Sequence, residues 1–168
     1  MFLFYRGRGW ILMLMTDDIL AIQTLKYRYL RCLDLKKWDE FADTICEDIQ
    51  ANYGSHAGDR ELTFTGRKDV VEYMSNAMGD FLTTVHCCTH PEIEVSGDEA
   101  KGSWLLQDVV LLPEKKIEIH GAAYYHDTYR REDGVWRIAS TAYERIYETL
   151  QSYEDQPSYT MLANMWAK

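Results

Sequence analysis

Apolar and polar positions change their period once along the chain, from helical spacing to strict alternation. Helical spacing begins at Asp17, a residue type that favours the N-cap position, and the pattern breaks near Asp34 and Leu35. We therefore expect a first helix that ends at Asp34. Shorter helical patterns follow in "KKWDEFADTI" and in "GRKDVVEYMSNAMG", where Gly79 closes the helix. The apolar positions of the first helix are Ile22, Leu25, Tyr29 and Leu33.

Strand patterns occupy the rest of the chain. Two short strands, "DIQANYG" and "ELTFTG", are predicted on either side of the turn-rich "SHAGDR". Four long runs then alternate apolar with polar residues, 82–96, 100–112, 116–132 and 135–149, as in an antiparallel meander. These runs exceed the usual strand length of about 3–10 residues, so we expect bulges that bend the sheet. The predicted fold class is α+β, a cone in which helices cover one face of a strongly curved antiparallel sheet and enclose a central pocket.

Composition and charge limit the classes of function. The chain has 168 residues, enough for one compact domain, and 46% of them are hydrophobic. The formal net charge is −9, and lysine and arginine do not cluster, which argues against a nucleic-acid partner. The four cysteines have no disulfide-framework spacing, so we expect free thiols in a reducing cytoplasm.

The two ends of the chain are predicted to lie outside the main domain, which spans residues 16–150. Residues 1–15 form an N-terminal extension. Its apolar run, residues 10–15, is far shorter than the about 20 residues of a membrane span and has no signal-peptide cleavage site, so we expect neither export nor a membrane partner. Residues 151–168 form a tail with apolar residues at helical spacing, and we expect it to cover the pocket or a neighbouring subunit.

Three polar residues stand where the apolar pattern predicts none. Asp34 ends the first helix, and His86 lies in a strand segment of Val, Thr and Cys; alone, each is explained as a hydrogen-bonded structural residue. Asp108 shares a strand face with Trp104 and Leu106. It is buried if that face is the inner one and solvent-facing otherwise. A buried acid must be paired or protonated. Asp108 is therefore the least easily dismissed of the three.

Arg145, on the last strand, is ambiguous. A surface ion pair is the simplest interpretation of such an arginine. Alternation does not settle which face it occupies, because a bulge between Ile138 and Arg145 would reverse that face.

A metal site is an alternative interpretation of the strand that contains His86. His86, Cys88 and His90 recur on one strand face and are good ligand types. However, Pro91 is expected to bulge the strand beside His90, and no CxxC or HExxH motif accompanies them. The glycine-containing "GRGW" and "GSHAG" match no phosphate loop. We therefore expect neither a metal nor a cofactor.

Several motifs together resemble a known family. They are "LKYRYLRCLD" followed by "WDEF", then "FTGRKDVVEYM", "VHCCTHPEIEV", "GSWLLQD", and "EDGVWRI" with "AYERIYE". From about Ile19 onward, the chain resembles the SnoaL-like branch of the nuclear-transport-factor-2-like (NTF2-like) superfamily. Within it, the bile acid 7α-dehydratases are most similar, and scytalone dehydratase and hexachlorocyclohexane dehydrochlorinase are more distant. The resemblance implies a conical α+β barrel with a central pocket.

The resemblance also implies roles for five residues. Asp34 and His86 match an acid–base dyad, Tyr29 a pocket tyrosine, Asp108 a second pocket acid and Arg145 an arginine of the last strand. In such a site, Asp34 orients His86 for proton transfer, while Tyr29 and a protonated Asp108 donate hydrogen bonds to a substrate carbonyl. Arg145 would hold an anionic group of the substrate or orient the acids.

The expected function is that of a cofactor-independent lyase, a dehydratase acting on a hydrophobic, hydroxylated ring substrate of steroid-like or polyketide-like kind. An isomerase or cyclase would use the same residues, and a non-catalytic binding module is the rival class. The loop "LLPEKKIEIHG" is shorter than in the bile-acid enzymes and lacks their tyrosine, so the resemblance does not fix the substrate. Because the resembled dehydratases are trimers, a homotrimer is expected, with a dimer as the alternative.

Overall fold

Three helices precede the long strands. The structure, a computed structural model, describes residues 6–54 and 62–166, with side chains from residue 16 onward. The helices are α1 (Arg6–Asp34), α2 (Trp38–Ala42) and α3 (Arg67–Ala77). The expected ends of α1 and α3 and the existence of α2 are confirmed, but the start of α1 at Asp17 is wrong. The helix begins eleven residues earlier, at Arg6, since Trp10 to Met15 are helix-compatible residues without a proline.

Some predictions concern residues outside this description. The predicted turn "SHAGDR" falls within residues 55–61, which lie outside the described residues. The predicted packing of the N-terminal extension concerns the side chains of residues 1–15, which are also outside them. No helix of the described part of the chain is long and apolar enough to cross a membrane. The four cysteines are free, as expected.

A single curved sheet of six strands forms the other layer, and the predicted α+β class is confirmed. In the sheet, β1 runs parallel to β6, and every other neighbouring pair is antiparallel. The order across the sheet is β2-β1-β6-β5-β4-β3. The strands are β1 (Ile45–Asn52), β2 (Thr63–Thr65), β3 (Thr83–Ser96), β4 (Glu99–Leu112), β5 (Ile117–Glu132) and β6 (Val135–Ser152).

Two bulges in β6 decide which of its side chains face the helices. Where β6 pairs with β5, the register skips Ala139 and Ile146. Each skipped residue reverses the alternation that follows it. Ile138 is fully buried on the inner face, and the two bulges bring Arg145 and then Glu148 onto that same face. The bulge that the sequence left open between Ile138 and Arg145 is therefore present.

A buried ion pair joins α1 to the centre of the sheet. Lys26 Nζ lies 2.7 Å from Asp127 Oδ2, and both side chains are fully buried. Asp127 also accepts hydrogen bonds from Tyr129 and Thr141, and the Lys26 ammonium lies 3.4 Å from the ring centroid of Tyr125. Breaking such a pair leaves an uncompensated buried charge, which costs about 3–5 kcal/mol. This network fixes α1 against the sheet and so positions the end of α1, where Asp34 lies.

Candidate active site

A cavity of about 250 Å³ lies between the helices and the inner face of the sheet. Most of its wall is apolar or aromatic, and its polar groups are few, as in small-molecule sites generally. Its charged or titratable members are His86, Asp108, Arg145 and Glu148. The tyrosines of the wall are Tyr53, Tyr73, Tyr125 and Tyr143, and its aliphatic residues include Leu33, Met74, Met78, Leu106, Val110, Leu112 and Ile119.

Asp34 and His86 form a hydrogen-bonded pair at one side of the cavity. His86 Nδ1 lies 2.6 Å from Asp34 Oδ1, and the His86 side chain is only 7% exposed. The same carboxylate accepts hydrogen bonds from the backbone N–H of His86 (3.0 Å) and from the Thr84 hydroxyl (2.8 Å). A carboxylate at a helix C-terminus opposes the helix dipole, so these donors from β3 offset an unfavourable position. With Nδ1 engaged by Asp34, Nε2 is the nitrogen left for a molecule in the cavity.

His86 lies between the cavity and a second, outer cleft. It lines the cavity, and it also lines a separate cleft of about 400 Å³ that Tyr27, Arg31 and Asp34 border. Asp34 lines only this outer cleft. Asp34 therefore contacts solvent from outside the cavity, and its link to the cavity runs through His86.

Asp108 and Arg145 form a second pair, within the cavity wall. The guanidinium donates two hydrogen bonds, from Nη1 to Asp108 Oδ1 (2.5 Å) and from Nη2 to Asp108 Oδ2 (3.0 Å). Glu148 Oε2 lies 3.2 Å from Nη2. Burial alone would lower the pKa of Arg145, but the hydrogen bonds and charge of Asp108 raise it above its ordinary value. Both oxygens of Asp108 accept from Arg145, so this contact favours the carboxylate and not the protonated donor that the resemblance implied.

Gly121 leaves the space in which this pair meets. It is the cross-strand partner of Asp108 in β4 and of Glu148 in β6. A Cβ at Gly121 would collide with Arg145 Nη1 and lie 2.7 Å from Asp108 Oδ1. Its backbone conformation does not require glycine, so the absence of a side chain is explained by the pair alone.

Tyr29 lies behind the cavity wall and does not line it. Its side chain is fully buried, and its hydroxyl lies 3.2 Å from that of Tyr53, which does line the cavity. Burial raises the pKa of both phenols above their ordinary value of 10.0. At neutral pH both phenols are therefore protonated and serve as hydrogen-bond donors.

The metal alternative does not assemble. His90, at a φ of 49°, lies in the bulge of β3 and contacts Thr89, while His86 is engaged by Asp34. Pro91 therefore accompanies a bulge, as predicted. Among the described side chains, one group has the spacing of metal ligands, namely Cys46, Asp48 and Glu132. Arg130 already pairs with both of its carboxylates.

The C-terminal tail contacts the protein close to the cavity. The Thr83 hydroxyl donates to Asn164 Oδ1 (2.8 Å), and the Lys36 ammonium lies 4.9 Å from the ring centroid of Trp166. Asn164 and Trp166 border a cleft that shares Leu82 with the cavity. That the tail covers the pocket stays a prediction.

The fold and the cavity together define a small α+β protein with a cavity lined by paired acidic and basic side chains. The family model described as a SnoaL-like domain matches residues 15–142. The chain belongs to the SnoaL-like domain family, so the resemblance to the SnoaL-like branch is confirmed.

Similar proteins carry different activities in their names. The chain is 27% identical over 140 residues to the "Probable cyclase FGR4" of Gibberella zeae, covering 78% of this chain and 93% of that protein. A hexachlorocyclohexane dehydrochlorinase, LinA type 2, shares the fold with a TM-score of 0.72 at 24% identity, covering 82% of this chain and 91% of that one. A "Putative Scytalone Dehydratase" from Novosphingobium aromaticivorans has a TM-score of 0.71 at 21% identity, with 80% and 87% covered.

Proposed function

We propose that the protein is a cofactor-independent lyase that eliminates water from a hydroxylated ring ketone. The observation that carries the proposal is the Asp34–His86 pair, which has the geometry of an oriented base at the wall of a largely apolar cavity. Membership of a family with relatives named for dehydration, dehydrochlorination and cyclisation supports it.

The elimination would proceed by proton transfer through His86. Nε2 takes a proton from the carbon beside the substrate carbonyl, and Asp34 stabilises the imidazolium that forms. The Tyr53 hydroxyl, supported by Tyr29 behind it, donates to the carbonyl oxygen as negative charge develops there. The imidazolium then returns its proton to the leaving hydroxyl. The C–H and C–O bonds break, a C=C bond forms, and water leaves.

Arg145 and Asp108 would position the substrate without exchanging protons with it. Their bidentate contact fixes the guanidinium in the cavity wall. Arg145 Nε is buried and has no hydrogen-bond partner among the described residues, so it is available to a neutral acceptor on the substrate.

A second candidate is an isomerase or cyclase that uses the same base. The observation that favours it is the relative named a probable cyclase. The first half-reaction is identical, because both begin with an enolate. In the second, carbon–carbon bond formation or reprotonation replaces the loss of hydroxide.

Product mass separates these candidates. The protein is incubated with a panel of one- and two-ring β-hydroxy ketones, with and without a chelator, and the products are analysed by mass spectrometry. Elimination predicts products lighter by one water, at a rate that the chelator does not change. Products that chromatography separates from the substrate but that have its mass would support the isomerase or cyclase, and no turnover of any panel member would contradict the proposed lyase.

A further inference from the structure

We infer that the cavity selects an uncharged one- or two-ring substrate and rejects an anionic one. This inference rests on the proposed function for its substrate but concerns binding alone. Arg145 is the central residue of this inference, because the resemblance implied that it would hold an anionic group of the substrate or orient the acids.

The guanidinium of Arg145 already has its anionic partners. Asp108 occupies Nη1 and Nη2 with both carboxylate oxygens, and Glu148 lies 3.2 Å from Nη2. A substrate carboxylate would have to displace one of these groups to form a similar contact. The bulge at Ile146 turns Glu148 into the cavity, so this arrangement is built into the strand itself.

The sum of charges around the cavity is also unfavourable for an anion. Among the described residues that line the cavity, two carboxylates, those of Asp108 and Glu148, lie beside the single guanidinium of Arg145. These carboxylates outnumber the guanidinium, and a protonated His86 would not reverse the balance, because its charge is paired with Asp34. The walls are largely apolar and the Asp108 side chain is 4% exposed, so repulsion from this carboxylate is less screened than at the surface, whereas the Glu148 side chain is 30% exposed and is partly screened by solvent.

The volume of the cavity limits the number of rings. At the packing density of protein interiors, about 0.75, a cavity of about 250 Å³ holds a ligand of about 190 Å³, or about 13 non-hydrogen atoms. That is the size of one substituted ring or of two fused rings. Progesterone, a four-ring ketone with about 23 non-hydrogen atoms, needs about three-quarters more volume than such a ligand. The steroid-like class expected from the resemblance is therefore disfavoured, and small polyketide-like rings fit.

Matched ligands test the inference without requiring turnover. 2-Acetylnaphthalene and 2-naphthoate have the same ring system and the same number of non-hydrogen atoms, but only the second is charged at neutral pH. Calorimetric titration of the full-length protein is expected to give a Kd for the ketone that is roughly tenfold or more below that of the carboxylate. Progesterone, a neutral four-ring ketone, is expected to bind far more weakly than 2-acetylnaphthalene.

Two charge-neutralising variants show where the selectivity arises. Glu148→Gln is expected to narrow the ratio of the two Kd values severalfold, because it removes a carboxylate from the cavity wall. Glu144→Gln, on the same strand but on the outer face, is the matched control and is expected to leave the ratio unchanged.

Equal affinity for the ketone and the carboxylate would overturn the inference, and so would an equal effect of the two variants. Tight binding of progesterone would overturn the size limit. If ketone selectivity is found but no panel member loses water, the inference on binding stands and the proposed lyase fails. The two failures are therefore distinguishable.

Discussion

Gly121→Ala is expected to destabilise the protein by acting on the Asp108–Arg145 pair. The new methyl group would collide with Arg145 Nη1 and lie 2.7 Å from Asp108 Oδ1, closer than non-bonded carbon and oxygen atoms approach. Asp108 is 4% exposed and short, so Arg145 is the group that must move. Moving it weakens a bidentate contact to a buried carboxylate.

The expected loss of unfolding free energy is about 1–3 kcal/mol, the usual cost of an overpacked interior. It would rise toward about 3–5 kcal/mol if Arg145 left Asp108 unpaired. Urea denaturation at neutral pH measures it. Gly79→Ala is the control, because its Cβ would meet the ring of Phe81 at 3.0 Å, and Phe81 is 50% exposed and free to move aside; we expect less than about 1 kcal/mol there.

A double-mutant cycle decides the cause. If the clash with the guanidinium is responsible, Gly121→Ala should cost clearly less in an Arg145→Met background than in the wild type. An equal cost in both backgrounds, or a cost no greater than that of Gly79→Ala, would refute the role assigned to Gly121.

Three further predictions concern the hydrogen bonds of the site. Thr84→Val removes one of the donors to Asp34 and should lower kcat about tenfold with little change in KM; an unchanged kcat would show that Thr84 does not position the carboxylate. Tyr53→Phe should lower kcat more than Tyr29→Phe, since only the first hydroxyl lines the cavity; the reverse order in steady-state kinetics would reassign the donor. Burial raises the pKa of Tyr29, Tyr53 and Tyr125, so their stabilisation is complete below pH 10 and is lost as pH rises through the raised values. The share of the tyrosinate absorbance that these three phenols contribute should therefore appear only together with unfolding, above pH 10, and their ionisation in the folded protein would contradict this.

Alternation was sufficient to predict the sheet and one face of the cavity. The row of Trp104, Leu106 and Asp108 is buried as its pattern indicates, because β4 pairs with β5 without a bulge along its length. Tyr53 carried the same signal, since it follows Ile49 and Ala51 at alternate positions of one buried face, but sequence reasoning did not select it. A tyrosine after a buried strand is too common to indicate a site by itself.

Other features depended on long-range contacts that local pattern does not contain. Arg145 reaches the cavity only because β6 skips Ala139, and Glu148 shares its face only because β6 also skips Ile146; strict alternation places these two side chains on opposite faces. The pair of Lys26 and Asp127 joins a helix and a strand a hundred residues apart, and each residue alone resembles a surface charge. The resemblance to a family brought Asp34 and His86 together, although each had a structural explanation when taken separately.

The account depends most on His86 acting as a base toward a carbon beside a carbonyl in the cavity. Exchange of the methyl protons of 2-acetylnaphthalene with deuterium oxide, followed by proton NMR, tests this without the natural substrate. We predict that the wild type accelerates exchange above the buffer rate and that His86→Asn abolishes the acceleration. Exchange no faster than in buffer, or equally fast exchange with His86→Asn, would contradict the account.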